Sequence, residues 1–290
     1  MPTATPPAQL SSAAYELWNG IAQDMSTGRL NFVTFAGASL GVQVKLRNKD
    51  LSTEELTRIV GTEPLLSARV VALANSAAMN ACGKAVTDLR SAVLRVGHNS
   101  VWMLALSIAL DQMSHAKDIA AFREQARQIW SHSVEVAAIA QVLARRRTRL
   151  NPSDAMFAGL VHDIGYYYLM QRAAQVEILA AQPEELKALV FDWHPAVGAA
   201  VLQTLGVPDA ISTAVDEHEL EPARVKPDSL SHVLAIADRC AKVRNPLAPT
   251  ADEALAARRA QETGLDEETA RAVVAEAEDE VRSLLSALRP

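Results

Sequence analysis

The stretch that decides the fold extends from Ser153 to Gln171, SDAMFAGLVHDIGYYYLMQ. Asn151 and Pro152 precede it, and an N-cap residue followed by a proline at the first helical position predicts the start of a helix. The helix is apolar nearly all round, which is typical of a helix in the centre of a protein. Two ionisable residues, His162 and Asp163, nevertheless lie in its middle. The stretch therefore predicts a central helix that carries a buried polar pair.

Outside this stretch the chain carries frequent helix signals and almost no strand signals. Ser52 and Glu55 have the spacing of a capping box. Thr62 and Thr87 are predicted to cap the next two helices, the second of which ends at Gly97. Aromatic residues make up only 4% of the chain, while Ala and Leu, strong helix formers, are abundant. The predicted fold class is all-α, a multi-helix bundle with a C-terminal helical extension.

The prolines after Asn245 predict a boundary near the C-terminus. Residues 1–30 are predicted to be an N-terminal helical lead-in, and residues 250–290 an acidic C-terminal helical tail with Asp266 as N-cap. The segment from Asn31 to Leu46 has no clear apolar period, so no element is predicted there. The tail carries an apolar stripe that must be buried. Either it folds back on the main domain, with its acidic face towards solvent, or it forms a homodimer, and folding back is favoured because it needs no second molecule. The stripe consists of Ala270, Val273, Ala277, Val281, Leu284 and Leu288.

Charge and composition exclude several classes of protein. The net charge is −6 and most of it belongs to the tail, which argues against a nucleic-acid binder. The basic run Arg145 to Arg149 is interpreted as a solvated helix end. Two cysteines, Cys82 and Cys240, are too few for a disulfide framework. The N-terminus has no signal-peptide pattern, and the apolar stretch Val101 to Leu110 is too short to span a bilayer. We therefore expect a soluble cytoplasmic protein with no membrane partner.

Six ionisable residues fall on apolar helix faces or at helix ends. Burying an imidazole or a carboxylate without a partner is costly, so we expect these side chains to meet one another. Imidazoles and carboxylates that converge in a helical bundle have the composition of a divalent-metal site, suited to Fe, Mn, Zn, Ni or Mg. An unoccupied polar cluster, hydrogen-bonded internally and through water, is the alternative. The six residues are His132, His162, Asp163, Asp238, His194, which is predicted to be a helix N-cap, and His218, which is predicted to end a helix.

Several motifs now resemble a known family. FAGLVHDIG, from Phe157 to Gly165, resembles the GLLHDIG signature of the HD superfamily of phosphohydrolases, and His132 and Asp238 match its first histidine and last aspartate. Other motifs resemble those of one branch, the HDOD domain family, over about Asn31 to Ala241. Residues 31–244 are therefore predicted to form an HDOD domain with an HD-superfamily-like bundle. The HDOD motifs are TEPLL from Thr62, ANSA from Ala74, AVLRVG from Ala92, HPAVG from His194 and VPDAI from Val207.

The resemblance implies both a ligand set and a function. The superfamily takes its metal ligands from this pattern, which implies His132, His162, Asp163 and Asp238, with His194 and His218 as further candidates. The HDOD family is regarded as a regulatory output module without established catalysis, so the expected partners are other signalling proteins, and no catalytic or cofactor-binding residue is assigned.

The alternative is a metal-dependent phosphohydrolase acting on a nucleotide or phosphodiester. Few cations near the HD motif could hold a phosphate, which favours the regulatory module. A cyclic di-GMP phosphodiesterase is not expected. Tyr166 stands where the related HD-GYP enzymes have a lysine, Glu219 replaces their second histidine, and their GYP element has no counterpart.

Overall fold

The computed structural model describes residues 11–27, 50–76, 79–80, 83–114, 117–175, 183–219, 228–248, 265 and 267–288. These residues contain helices and no β-strand, which confirms the all-α fold class. The 3-10 helix Lys117–Phe122 lies between the fourth and fifth α-helices. The α-helices are α1 (Ser12–Thr27), α2 (Thr53–Gly61), α3 (Pro64–Ala74), α4 (Leu89–Ser114), α5 (Arg123–Arg147), α6 (Pro152–Val161), α7 (Ile164–Ala173), α8 (Pro183–Thr204), α9 (Asp209–Glu217), α10 (Leu230–Cys240) and α11 (Glu267–Leu288).

Helix α5 forms the centre of the bundle, and α6, α10 and α11 pack against it. Nearly every side chain from Ile129 to Ala144 is buried. Helices α5 and α6 approach closely at Gly159, where an added Cβ would lie 2.5 Å from the Ala137 Cα. Glycine is required there because any side chain would collide with the backbone of α5. The close approach brings His132 of α5 near the end of α6.

The predicted central helix is in fact two helices. α6 ends at Val161, His162 and Asp163 form a turn, and α7 begins at Ile164. The prediction of one continuous helix was therefore wrong, although both halves are buried as expected. An apolar periodicity can continue across a turn of two residues, so the pattern alone does not reveal the break. Because α6 ends at this turn, the Gly159 carbonyl is available to accept a hydrogen bond from the His162 ring.

Of four other predicted helix boundaries, two are confirmed and two are wrong. The capping box of Ser52 and the N-cap of Asn151 are both confirmed. Thr62 is not an N-cap, because its hydroxyl donates to the carbonyl of Ile59 at the end of α2. Asp88, not Thr87, accepts the hydrogen bond from Ser91 N at the start of α4. The last two predictions were wrong by one residue or one helix end, which is the usual uncertainty of a helix boundary.

Gly97 interrupts α4 as the sequence predicts, because its φ of 77° leaves the helical region. A left-handed φ of this kind favours glycine. The part of α4 from Leu89 to Ala109 is long and apolar enough to cross a membrane by length and composition. However, 67% of that window is buried inside the protein, as for the core helix of a bundle. The interpretation of its apolar segment as a buried helix is confirmed.

Helix α11 of the tail folds back on the same chain and packs against α5 and α3. Val273 and Ala277 of the predicted stripe are buried in this contact. The acidic face does not point wholly to solvent, since the buried Glu280 carboxylate lies 3.2 Å from the Arg145 guanidinium. Glu276 also pairs with Arg145, at 2.5 Å. The basic run was expected to be a solvated helix end. Instead, its Arg145 binds the acidic tail.

Some expectations fall on residues that the structure does not describe. Asp266, the segment from Asn31 to Leu46 and the side chains of Leu284 and Leu288 lie outside the described residues. The division into lead-in, main domain and tail stays a prediction.

Candidate metal centre

The six predicted residues meet in the interior, and five of their side chains are almost completely buried. Asp163 lies at the centre, with Oδ1 3.3 Å from His162 Nε2 and 3.6 Å from His194 Nε2. Its Oδ2 lies 3.9 Å from His132 Nε2. The His218 Nε2 lies 4.0 Å from Asp163 Oδ1. The geometric expectation that these groups cluster therefore holds.

Asp238 completes the cluster at its solvent side. Its Oδ1 lies 2.9 Å from His132 Nε2 and 3.9 Å from His162 Nε2. The Asp238 side chain is 24% exposed, whereas those of His132 and His162 are 3% and 1% exposed. Of the six side chains, that of Asp238 is therefore the most open to solvent.

Three of the histidines are oriented by the backbone carbonyl three residues earlier. A carbonyl oxygen can only accept a hydrogen bond, so Nδ1 of each ring carries the hydrogen and donates it. Helix ends leave such carbonyls without helical partners, and both α6 and α9 end just before their histidine. The three bonds are His162 Nδ1 to Gly159 O at 2.8 Å, His194 Nδ1 to Phe191 O at 2.6 Å and His218 Nδ1 to Val215 O at 2.6 Å.

The Phe191 carbonyl that orients His194 lies in the middle of a helix. The sequence predicts it as a helix N-cap, which is wrong, because α8 extends from Pro183 to Thr204 with Pro195 inside. Proline has no backbone N–H, so Pro195 cannot bond the carbonyl four residues earlier, which is that of Phe191. The imidazole of His194 takes this carbonyl instead. The proline that suggested a helix start therefore orients a ring within the helix.

His132 is oriented from outside its own helix. It lies mid-way along α5, and its Nδ1 donates to the Val243 carbonyl oxygen at 2.7 Å. Val243 belongs to the segment that follows α10, the helix that carries Asp238. With Nδ1 of all four rings bonded to carbonyls, the four Nε2 atoms are left to face the common centre.

Burial and mutual contact shift the pKa values of the cluster in different directions. Burial lowers the pKa of His162 and His194 well below the usual range, so their imidazoles are neutral. Burial also raises the pKa of Asp163 to about 7. Burial alone would lower the pKa of His132, but contact with the Asp238 carboxylate and the charge of Asp163 raise it to about 9. Burial opposes ionisation of Asp238 too, yet its contact with His132 holds that pKa below the usual range.

Two observations indicate that the arrangement fits a divalent metal ion. In the described part of the chain, His162 Nε2 is buried without a hydrogen-bond partner. The Nε2 atoms of His194 and His218 lie 3.2 Å apart, so two lone pairs face each other when both rings are neutral. Ligands on one metal ion with bonds of roughly 2.1 Å have donor atoms about 3–3.5 Å apart. A cation at the centre would satisfy all of these atoms, so the buried groups could hold a metal.

The donor atoms divide into two groups that share Asp163. One consists of His132, His162 and Asp163, and the other of Asp163, His194 and His218. In each group all donor atoms lie within 4.8 Å of one another. A shared carboxylate is compatible with one ion or with two neighbouring ions.

Sequence reasoning missed or misplaced several contacts of the cluster. Asn245, assigned to a boundary, donates from Nδ2 to Asp163 Oδ2 at 2.9 Å. The Glu219 Oε1 lies 3.9 Å from Nε2 of both His194 and His218. Tyr166 stacks on His194 with ring centroids 4.0 Å apart. An asparagine before a proline is ordinarily a turn signal, so the sequence offers no sign that Asn245 reaches the centre.

Comparisons with known proteins agree with the helical fold. The sequence profile of the HDOD domain matches residues 34–220. A candidate metal-dependent phosphohydrolase from Shewanella amazonensis is 22% identical with a TM-score of 0.66, over 92% of this chain and 100% of that chain. An HDOD domain protein of unknown function from Geobacter sulfurreducens is 21% identical with a TM-score of 0.57, over 96% of each chain.

A candidate signal transduction protein from Marinobacter aquaeolei is 19% identical with a TM-score of 0.59, over 96% of this chain and 65% of that one. A search of curated proteins finds no match. At these identities the solved structures show the shared helical fold alone. The profile, in contrast, matches more than half of the chain, including five of the six clustered residues. The chain therefore belongs to the HDOD domain family.

Proposed function

We propose that the protein is a cytoplasmic regulatory module of bacterial signal transduction, which acts through contacts with other signalling proteins and does not hydrolyse a substrate. A divalent metal ion bound by His132, His162, Asp163 and Asp238, with His194 and His218 as further ligands, is part of its core. In this role the ion would hold α5, the α6–α7 turn and α10 together. The family membership and the likeness to a candidate signal transduction protein support this proposal.

The burial of the donor atoms is the observation that carries the proposal. A catalytic metal keeps a position open for water or substrate, whereas a structural metal is enclosed by protein ligands. Five of the six side chains are buried, and Asp238 is only partly exposed. Among the described residues, the charged partners of Asp163 and Asp238 are all histidines. A phosphate held at the centre would need a lysine or arginine as well.

The second candidate is a metal-dependent phosphohydrolase acting on a nucleotide or phosphodiester. The two donor groups that share Asp163 favour it, because neighbouring ions can clamp both oxygens of a phosphoryl transfer. When bound, the metal would lower the pKa of a water molecule and so supply a nucleophile. His132, His162, Asp163 and Asp238 would hold the metal. Glu219 would lie beside the His194–His218 pair.

Metal analysis combined with a hydrolysis screen separates the two candidates. The purified full-length protein is analysed for bound metal, then incubated with Mn²⁺ and nucleotides, cyclic di-GMP or a chromogenic phosphodiester. We expect bound metal and no turnover above that of the Asp163→Asn variant. Turnover that Asp163→Asn abolishes would establish the phosphohydrolase and overturn the regulatory proposal.

Cross-linking in bacterial cells that carry the gene tests the contacts with other proteins. We expect wild-type protein to form the same specific cross-links to signalling proteins in independent cultures. A chain that forms no specific cross-link in the cell would contradict the interaction role.

A further inference from the structure

The segment after α10 contacts two of the candidate metal ligands. This segment, Ala241–Ala248, is called the strap, and it begins where Ala241 leaves the helix with an extended backbone. The Val243 carbonyl accepts the hydrogen bond from His132 Nδ1 at 2.7 Å. Asn245 donates to the Asp163 carboxylate at 2.9 Å. The strap therefore fixes the ring orientation of one ligand and the carboxylate orientation of another, and such outer contacts tune metal affinity.

The C-terminal helix α11 braces the strap. Lys242 of the strap lies with its Nζ 2.5 Å from the Glu278 carboxylate of α11. α11 itself packs on α5 and α3 with Val273 buried, and Glu280 of α11 pairs with Arg145 of α5 at 3.2 Å. The docked helix, the strap and the metal ligands thus form one continuous set of contacts. None of the family motifs quoted from the sequence contains a residue of the tail.

We propose that α11 regulates the metal centre through the strap. When α11 is docked, the strap is held against His132 and Asp163 and the centre binds its metal tightly. When α11 is released, the strap loses its brace and metal affinity falls. This inference rests on the proposed metal centre.

Thermodynamic linkage makes the coupling reciprocal. If docking of α11 raises the affinity for the metal, the metal must stabilise the docked helix by the same factor. Metal occupancy and tail docking would then report on one another. The same module could present a docked tail or a released one to its partners according to metal supply.

A matched pair of aspartate substitutions tests the proposal in the full chain. Val273→Asp places a charge at a buried position of α11, whereas Ala272→Asp adds the same charge on the exposed face of α11. Mn²⁺ binding is followed by electron paramagnetic resonance, and Zn²⁺ binding by calorimetry. We expect Val273→Asp to lower the affinity by roughly 5-fold or more and Ala272→Asp to leave it unchanged.

Hydrogen exchange supplies the second readout. We expect Val273→Asp to speed amide exchange in α11 and in the strap. In the wild-type protein, added Mn²⁺ should slow exchange in α11. If exchange shows that Val273→Asp releases α11 but both metals bind as tightly as in Ala272→Asp, the inference is overturned while the metal centre stands. A wild-type protein that binds neither metal would instead overturn the centre itself.

A charge exchange tests the same proposal if the Val273→Asp variant does not fold. Lys242→Glu and Glu278→Lys each break the ion pair between Lys242 of the strap and Glu278 of the tail, and together they restore it with reversed charges. Both groups are exposed and screened by solvent, so each single change should lower metal affinity only about 2-fold. The double variant should regain wild-type affinity. Single variants with wild-type affinity would show that the tail does not act through the strap.

Discussion

At the scale of single residues, the centre depends on how four imidazoles are turned. Each Nδ1 donates to a carbonyl oxygen, and three of these carbonyls are available because a helix ends or contains a proline. The same devices fix the tautomer, leaving Nε2 as the atom with the lone pair. Backbone irregularity, not side-chain packing alone, therefore prepares these ligands.

Pro195→Ala should weaken metal binding without destabilising the fold. The alanine N–H would bond the Phe191 carbonyl and compete with His194 Nδ1. We expect metal affinity to fall by roughly 10-fold, as for other groups that orient a ligand. The free energy of unfolding of the metal-free protein should not fall, because proline inside a helix is unfavourable.

Pro64→Ala is the control for this change, because Pro64 occupies the exposed first turn of α3. Calorimetric titration and urea unfolding measure the two effects. Equal metal affinity in both variants would argue against the role of the proline.

Asp163→Ala should destabilise the metal-loaded protein. Asp163 contacts all four histidines and is buried, so its removal leaves the metal without its central ligand. We expect a loss on the order of 3 kcal/mol in the free energy of unfolding. Asp209→Ala, an exposed aspartate in α9, is the control and should have little effect. Coinciding denaturation midpoints for the two variants would contradict a buried centre built on Asp163.

The types of residue at the centre could be predicted from the sequence, but their orientation could not. Ionisable residues on apolar helix faces need partners when they are buried, and this requirement predicted that the six side chains would meet. His194 was misplaced because His-Pro is also a helix-start signal. Asn245 and Val243 contribute through contacts distant in sequence, which no local pattern contains.

At the scale of helices, close backbone contacts position the ligands. An added Cβ at Gly165, in the first turn of α7, would lie 2.0 Å from the His194 carbonyl oxygen of α8. No side chain fits there, so α7 and α8 meet through backbone atoms next to the centre. This contact keeps Asp163 and His194 at a fixed separation.

Gly165→Ala should therefore push α7 and α8 apart. We expect a loss of about 3 kcal/mol in the free energy of unfolding, since overpacking of this degree forces a backbone shift. Gly61→Ala is the matched control, because an added Cβ there would lie at an ordinary 3.7 Å from a Leu89 methyl group. Urea denaturation of both variants provides the measurement. A stable Gly165→Ala protein would show that the two helices can separate without cost.

Helix existence could be predicted more fully than helix boundaries. The capping box predicted the start of α2 correctly, and Asn151 with Pro152 predicted the start of α6 correctly. The break at His162 and Asp163 was missed because both flanking helices are buried on all sides, and their pattern continues through the turn. Helix boundaries depend on which hydrogen bonds the tertiary structure favours, as at Thr62 and Thr87.

At the scale of the whole molecule, the sequence predicted that the tail would fold back but not what holds it. The stripe required burial, and its Val273 and Ala277 are buried where α11 packs on α5 and α3 of the same chain. The pairing of Arg145 with Glu276 and Glu280 joins two charged regions that are distant in sequence. Their complementarity is visible only when the fold brings them together.

Metal removal should lower the thermal stability of the whole protein. A ligand that binds only the folded state stabilises it by about 2.7 kcal/mol at 100 times its dissociation constant. For a chain of this size we expect chelation to lower the Tm by about 5 °C or more. Scanning calorimetry before and after chelation measures the shift. The Asp163→Ala variant should show no shift, and an identical shift in that variant would place the metal elsewhere.

Anomalous diffraction at the absorption edge of the bound metal tests the central claim most directly. The account predicts an anomalous peak about 2.1 Å from Nε2 of His132 and His162 and from a carboxylate oxygen of Asp163. A second peak beside His194 and His218 would show that Asp163 bridges two ions. Crystals of metal-loaded protein with no anomalous peak at this cluster, and with direct hydrogen bonds between Asp163 and the histidines, would contradict the metal centre.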